Sequence, residues 1–438
     1  MLCSTSDDTS VAIVEKHDSR KPSATVHFLE NITADTRQYR GIHPIEALQS
    51  HQENAAKLVQ RALNFLPPAQ ETDAGNSYLA VENAGNKRRR LPDLIAATRG
   101  PGMRSNLFVG LDTAKGLAVA FQIPFLGVHH MQAHLLTPRL VSALAGTTSS
   151  NGEGTAAEAR FPFLSILVSG GHSQLVHSRS ITDHEILATT ADIALGETLD
   201  KSARLILPEH VLQTAQSTMY GRTLERFAFP NGAADFADYQ PLKSRGEEQI
   251  RRESPWGWSI TTPLANTRDL RFSFSAVSST VQRIVSGKAR AGQTMSDDER
   301  VALARETMRV PFEHLASRTV IALETLRERG TDDTPDVQTL VVSGGVAANR
   351  FLMTVLRSFL DVRGFERVHL VAPPPYLCTD NAAMIGWAAI EMFEAGWSSD
   401  LGCRALRKWS LDPQAEDGGV LGADAWIRRE GNTQLKIP

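Results

Sequence analysis

The stretch "VHHMQAHLL" (128–136) places His130 and His134 four residues apart among helix-compatible neighbours. On an α-helix that spacing brings both imidazoles to one face, one turn apart, close enough to share an ion. The same pair also suits a polar pocket in which each ring bonds to backbone, so by itself it leaves metal binding and a structural role open. His129 points elsewhere on a helix and reads as structural.

Two other phrases carry possible chemistry. "SILVSGGHSQLVHS" and "LVVSGGVAANRFLM" each run an apolar strand into a Ser-Gly-Gly turn, the first returning as a strand and the second opening into a helix. Paired glycines let backbone N–H groups converge on an anion, and a helix start adds further donors. Each turn alone is equally served by a simple tight bend. The early "SDDTS" turn adds Asp8, either a cleft carboxylate able to orient an amine or take its proton, or a solvated turn residue. Together the three turns suggest two lobes, each contributing a loop to a nucleotide cleft.

The elements that must position these groups alternate. Strands are expected near 11–14 and 25–32, a helix near 44–65, a strand at "DLIAAT", a helix near 104–121, a strand at "PFLGV" and then the histidine helix. This is α/β order. A first lobe is expected over 1–150 and a second over 151–410, the latter with a polar insertion at about 208–268. The late helix at about 380–395 should pack back on the first lobe, with 411–438 a polar tail. "QETDAGNSYLAVENAGNKRRR" and "GTTSSNGEGTAAEAR" read as surface insertions or linkers.

Bulk properties set limits on function. The 438 residues are 42% hydrophobic and 22% charged, ordinary for a chain of two or three domains, and carry a net charge of -3. Any nucleic-acid contact must therefore come from a local patch. Three candidate patches are "NKRRR" at 86–90, Arg251 and Arg252, and "RALRKW" at 404–409, each equally readable as a solvated loop. Cys3, Cys378 and Cys403 form no CxxC, which argues against a zinc ribbon or disulfide framework. The most apolar region is interrupted by Asp112 and Lys115, so no membrane span is expected.

In their order, "GPGMRSNLFVGLDTAKGLA", "VHHMQAH", "LVSGGHSQL", "LGETLDK", "RFSFS", "VVSGGVAANR" and "CTDNAAMIGWAA" resemble the tRNA N(6)-adenosine threonylcarbamoyltransferases, the TsaD family, once called O-sialoglycoprotein endopeptidases. The resemblance runs from about residue 4 to about 395. It implies the two-lobed actin, Hsp70 and sugar-kinase-like fold, each lobe a ribonuclease-H-like mixed sheet flanked by helices. It also implies transfer of a threonylcarbamoyl group from threonylcarbamoyl-AMP to the exocyclic amine of adenosine 37 in tRNAs reading codons that begin with A. His130, His134 and Asp380 would hold one divalent ion, iron or zinc. Taken alone, Asp380 reads as a helix N-cap. Leu167, Val168, Ser169, Gly170 and Gly171 would hold the phosphates, Asp200 the ribose and Asn349 the nucleoside end, with Gly221 matched less securely because its phrase is altered. The form of "CTDNAAMIGWAA" resembles the mitochondrial branch, which implies a homodimer in the mitochondrion, or the cytoplasm for a bacterial chain.

Departures from the family raise rivals. Cys3 stands at a Glu position, Ser6 at a Cys position and Gln132 at a position that is often Glu. The first strand looks truncated, from processing or a misassigned start, which would leave backbone groups unpaired and apolar surface exposed. No signal or transit peptide is legible, the first arginine being Arg20. A metallopeptidase would want Glu directly after the first histidine, where Met131 stands. A kinase or ATPase on the same fold, and a scaffold that has lost activity, are the other readings.

Overall fold

A computed structural model of the chain describes residues 1–17, 23–36, 39, 41–69, 78–81, 87–148, 159–215, 219–330 and 337–429. The chain divides into two compact units. Unit one is 1–159, 179–185 and 379–438; unit two is 160–178 and 186–378.

The strands of unit one are β1 (Leu2–Thr5), β2 (Asp8–Lys16), β3 (Ala24–Thr33), a hairpin of β4 (Tyr78–Val81) and β5 (Lys87–Arg90), then β6 (Ile95–Gly100) and β7 (Phe125–His129). The main sheet runs β3-β2-β1-β6-β7, with β1, β2 and β3 antiparallel and β1, β6 and β7 parallel. This is the expected mixed sheet. Its helices are α1 (Pro44–Leu63), α2 (Arg104–Phe121), α3 (His130–Thr148) and the late helix Ala382–Glu394. Pro44, with its fixed φ, starts α1 behind a His43 cap. In α2, Leu107, Leu111, Ala114 and Ala118 recur at helical spacing and are all buried. Leu111, Ala114 and Ala118 pack with Leu2, Val11, Phe28, Leu58 and Ile95 in one core.

The short first strand is not lost. Leu2 to Thr5 pair with Val11 to Asp8, and Leu2 also registers with Ala97 of β6, so β1 occupies the middle of the sheet. The Met1 ammonium donates to the Ala12 carbonyl at 3.0 Å, and the Ala12 N–H donates back to Met1 at 3.1 Å. Four residues suffice because α2 closes over them. Gly110 donates its N–H to Ser4 Oγ at 3.0 Å, and a Cβ there would lie 2.6 Å from that oxygen. A cavity of about 540 Å³ opens beside Met1, lined by Val14, Leu66, Leu94, Phe121 and Phe393 and by charged residues such as Lys16 and Arg90.

Unit two repeats the same strand order. Its sheet is built from β8 (Phe163–Val168), β9 (Ser173–Ser178), β10 (His184–Thr189), β11 (Thr339–Ser343) and β12 (His369–Val371), in the order β10-β9-β8-β11-β12. Strands β8, β11 and β12 are parallel, and β8 and β9 antiparallel. Helix α4 (Leu195–Ile206) follows β10. The expected polar insertion at about 208–268 is better described as part of the core: Leu224, Phe236, Leu242, Trp258 and Ile260 are buried in the same cluster as Ile166 and Leu340. Scattered polar residues mask that contribution in the sequence.

The boundaries differ from those read off the sequence. The second lobe ends at Cys378 and not near 410, while the late helix lies in unit one as expected. The expected tail from 411 is folded as far as 429: Leu411 and Val420 are buried, and Trp426–Arg428 pairs with Trp397–Ser399. Residues 430–438 lie outside the described residues, as do 70–77, 82–86 and 149–158 of the two expected surface insertions. Among the described residues no helix is long and apolar enough to cross a membrane.

Candidate functional site

Strand β7 ends at His129 and α3 begins at His130, so the change from extended to helical backbone falls between the two adjacent histidines. His129 stays in the core. Its Nδ1 accepts from the Met131 N–H at 3.2 Å, capping α3, so its Nε2 carries the proton and donates to the Trp409 carbonyl at 3.1 Å. Burial pushes its pKa down to about 3. His129 is structural, as its spacing implies.

His130 and His134, one turn apart, present their rings edge to face with centroids 4.8 Å apart. Both Nε2 atoms aim at one oxygen: Asp380 Oδ1 lies 3.4 Å from His130 and 3.1 Å from His134. The three side chains are 10%, 4% and 19% exposed. Asp380 precedes the Ala382–Glu394 helix but is not its cap. Asn381 takes that role, accepting from the Met384 N–H at 3.0 Å. The carboxylate of Asp380 is thereby left to face the histidines.

Several short polar side chains hold Asp380 in place. Thr5 Oγ1 donates to Asp380 Oδ2 at 2.8 Å, Asn31 Nδ2 to its carbonyl at 3.1 Å, and the Ala382 N–H to Ser10 Oγ at 2.9 Å. Burial opposes ionisation of Asp380, but the two imidazoles outweigh it and hold the carboxyl well below the usual range. Burial also lowers the pKa of His134, against the pull of Asp380. Metal binding would draw on the ionised carboxylate and release any proton the imidazoles carry.

The donor set fits a divalent ion. Bonds of about 2.1 Å at tetrahedral angles separate ligand atoms by about 3.4 Å, close to the two histidine–carboxylate separations of 3.4 and 3.1 Å. The three ligand atoms all lie within 4.8 Å of one another. Two imidazoles and one carboxylate suit zinc or iron and leave positions open for water or substrate.

Asp8 lies at the start of β2 and accepts a hydrogen bond from Thr33. Burial lifts its carboxyl to about 7, with the Thr33 bond pulling down and Asp380 and Asp7 pushing up.

In unit two the expected nucleotide residues lie on the first turn, on α4 and its neighbour, and after the second turn. Leu167 and Val168 end β8. The Ser169–Gly171 turn follows, with Ser169 Oγ accepting from the Gly171 and His172 N–H groups at 3.3 and 3.1 Å. Gly170 and Gly171 are exposed. The N-terminus of α4 abuts this turn through Gly196 N–H to Ser169 O at 3.2 Å. One turn further, Asp200 Oδ1 accepts from the Gly221 N–H at 2.7 Å, and burial raises its carboxyl to about 6. Gly344 has φ +95°, and a Cβ there would sit 2.3 Å from the Val168 carbonyl, so only glycine lets the second turn seat against the first. Asn349 is buried and closes the short helical turn that follows Gly344. Its Oδ1 caps the Arg350–Val362 helix through the Leu352 N–H at 3.0 Å, and its amide faces Met308.

The family description for tRNA N6-adenosine threonylcarbamoyltransferase, TsaD, matches residues 80–387. The chain belongs to this family. A threonylcarbamoyltransferase relative named as mitochondrial, from Schizosaccharomyces pombe, is 34% identical over 433 residues, covering 97% of this chain and 87% of that one. Another, from Brucella abortus strain S19, is 34% identical over 412 residues, covering 93% and 94%. Among solved structures, component A of (R)-2-hydroxyglutaryl-CoA dehydratase from Acidaminococcus fermentans covers 90% of this chain and 95% of that one. Its TM-score of 0.39 and 12% identity are too distant to bear on function. Membership in the threonylcarbamoyltransferase family agrees with a His-His-Asp group able to hold a metal.

Thr5, Ser10 and Asn31 are the residues that sequence reasoning missed. Only Ser10 left a signal, a polar residue on the strand face shared with the buried Ala12 and Val14.

Proposed function

We propose that this protein transfers the threonylcarbamoyl group of threonylcarbamoyl-AMP to the exocyclic amine of adenosine 37 in tRNAs reading codons that begin with A. The observation that carries this reading is the convergence of His130, His134 and Asp380 in a chain of the threonylcarbamoyltransferase family. We assign the ion as iron or zinc, the assembly as a homodimer and the location as mitochondrial, the last supported by the Schizosaccharomyces pombe relative.

The reaction forms an N–C bond from the amine to the carbamoyl carbon and breaks the C–O bond to phosphate. AMP leaves with the electron pair, and the amine gives up one proton. The leaving group is already activated, so positioning and charge stabilisation carry most of the catalysis. His130, His134 and Asp380 would hold the ion, which when bound supplies Lewis-acid polarisation of a carbonyl. Asp8 serves as acceptor for the amine proton, its carboxyl poised at about 7. The Ser169–Gly171 turn binds phosphate through backbone N–H groups, Asp200 with its neighbour Gly221 accepts from ribose hydroxyls, and Asn349 contacts the nucleoside end.

The test is nucleoside mass spectrometry of unmodified tRNA incubated with the purified protein and synthetic threonylcarbamoyl-AMP. Threonylcarbamoyladenosine is the expected product. Its absence from metal-loaded protein would overturn the reading.

A further inference from the structure

The three basic clusters have different fates in the fold. In β5, Arg90 pairs with Glu15, Arg89 donates to the Leu66 carbonyl at 3.0 Å, and Arg88 lies over the Tyr78 ring. Asn86 of that cluster lies outside the described residues. Arg251 donates to Ser259 at 2.8 Å, and Arg252 stands 3.8 Å from the buried Glu313. These charges are largely engaged within the protein. Arg404, Arg407 and Lys408 are exposed, and among the described residues none joins an ion pair or donates a side-chain hydrogen bond.

The fold adds a fourth cation to these three. The Gly102 N–H donates to the Arg407 carbonyl at 3.3 Å, which places the strip beside Arg104, the exposed first residue of α2. Backbone bonds fix the strip in place: Leu406 N–H to Arg99 O at 2.9 Å and Arg99 Nε to Arg404 O at 3.1 Å. Arg99 is itself buried and neutralised by Asp424, so it anchors the strip without adding to its charge. Acids follow in the same segment, each turned onto its own backbone: Asp400 accepts from the Gly402 N–H, Asp412 from the Gln414 N–H and Asp417 from the Ser410 N–H.

The surface is tied to the metal-binding residues. Two positions after Arg104, Asn106 Nδ2 donates to the Ser6 carbonyl at 2.6 Å, and Ser4 Oγ donates to the Asn106 carbonyl at 2.8 Å. Ser4 and Ser6 flank Thr5, which holds Asp380. One turn of α2 therefore braces the candidate site and carries a cation to the surface. With a net charge of -3, four exposed cations that join no ion pair among the described residues are a local exception. Their chemistry matches a polyanionic backbone.

We propose that Arg104, Arg404, Arg407 and Lys408 form the surface on which the phosphate backbone of the tRNA substrate docks, an inference that rests on the transferase reading above. The test compares tRNA binding by the wild-type protein with R104Q/R404Q/R407Q/K408Q across a salt series, with Arg251→Gln as control. Expected are a loss of about 10- to 100-fold in affinity at low salt and a salt slope shallower by about three, while the control keeps wild-type values. Wild-type affinity and slope in the quadruple variant would overturn the proposal.

A second readout needs no variant. Amine acylation of Lys408 in the wild-type protein should be suppressed by saturating tRNA, and undiminished reactivity would count against docking. Binding requires no turnover, so the two readings fail separately. A wild-type protein that binds tRNA through these residues yet makes no product keeps the surface and loses the transferase assignment. One that makes product with the four cations dispensable for binding does the reverse.

Discussion

Thr5 Oγ1 donates to Asp380 Oδ2 at 2.8 Å, joining residues 375 positions apart. The bond leaves Oδ1 as the oxygen facing His130 and His134. Such outer partners fix ligand orientation, and their loss costs about 10- to 100-fold in metal affinity. Thr5→Val, close in shape and unable to donate, should weaken zinc or iron binding by that factor in a chelator competition, with the melting temperature of the apo protein little changed. Undiminished affinity would show that the bond does not orient the ligand.

His130→Ala, His134→Ala and Asp380→Asn should each abolish stoichiometric metal retention and threonylcarbamoyl transfer. Elemental analysis of the purified variants reads the first and tRNA nucleoside analysis the second. Metal retained at wild-type stoichiometry in all three would place the ion elsewhere.

Asp8 predicts a pH dependence whose sign follows from its raised carboxyl. As a proton acceptor it works ionised, so single-turnover transfer should climb as pH rises through about 7. Asp8→Asn should lower the rate by roughly 10²- to 10⁴-fold and erase that limb. Stability moves in the opposite direction. With the folded value near 7 and an unfolded value of about 3.9, the folded state binds more protons between those limits and loses stability as pH rises through them. Denaturation midpoints at both ends of that window should converge in Asp8→Asn.

The two Gly turns of unit two should respond differently to one methyl group. Gly344→Ala forces a side chain onto φ +95° and against the Val168 carbonyl, so its denaturation midpoint should fall by the equivalent of about 2 kcal/mol or more. A Cβ at Gly170 meets nothing within 4 Å. Gly170→Ala should stay within about 0.5 kcal/mol of wild type while weakening AMP binding. Equal stability losses in the two variants would remove the distinction between a packing glycine and a ligand-facing one.

How much could be read in advance depends on whether a residue's role is periodic. His130 and His134 were legible because helical spacing alone sets their common face, and the two Ser-Gly-Gly turns because paired glycines end apolar runs. The 104–121 helix matched residue for residue, its apolar positions recurring at i, i+4, i+7 and i+11. Asp380 was read from its family motif, whereas local sequence favoured a cap. Asn381 supplies that cap, and adjacent Asp and Asn are nearly equivalent as caps. Thr5 and Asn31 were invisible because their partners arrive from across the fold. The strength of β1 was underestimated for a related reason, since its four residues are held by α2 and by strands on both sides.

His134 and Asp380, hydrogen-bonded in the finished protein, are separated by 246 positions, and the whole of unit two lies between them. At about 5–20 residues per second, the ribosome emits the carboxylate roughly 12–50 s after the second imidazole. Throughout that interval the nascent chain offers two histidines and no third ligand. Under the proposed metal assignment, tight retention would begin only once nearly the full polypeptide exists, and a message truncated anywhere within unit two would yield a product without the third ligand.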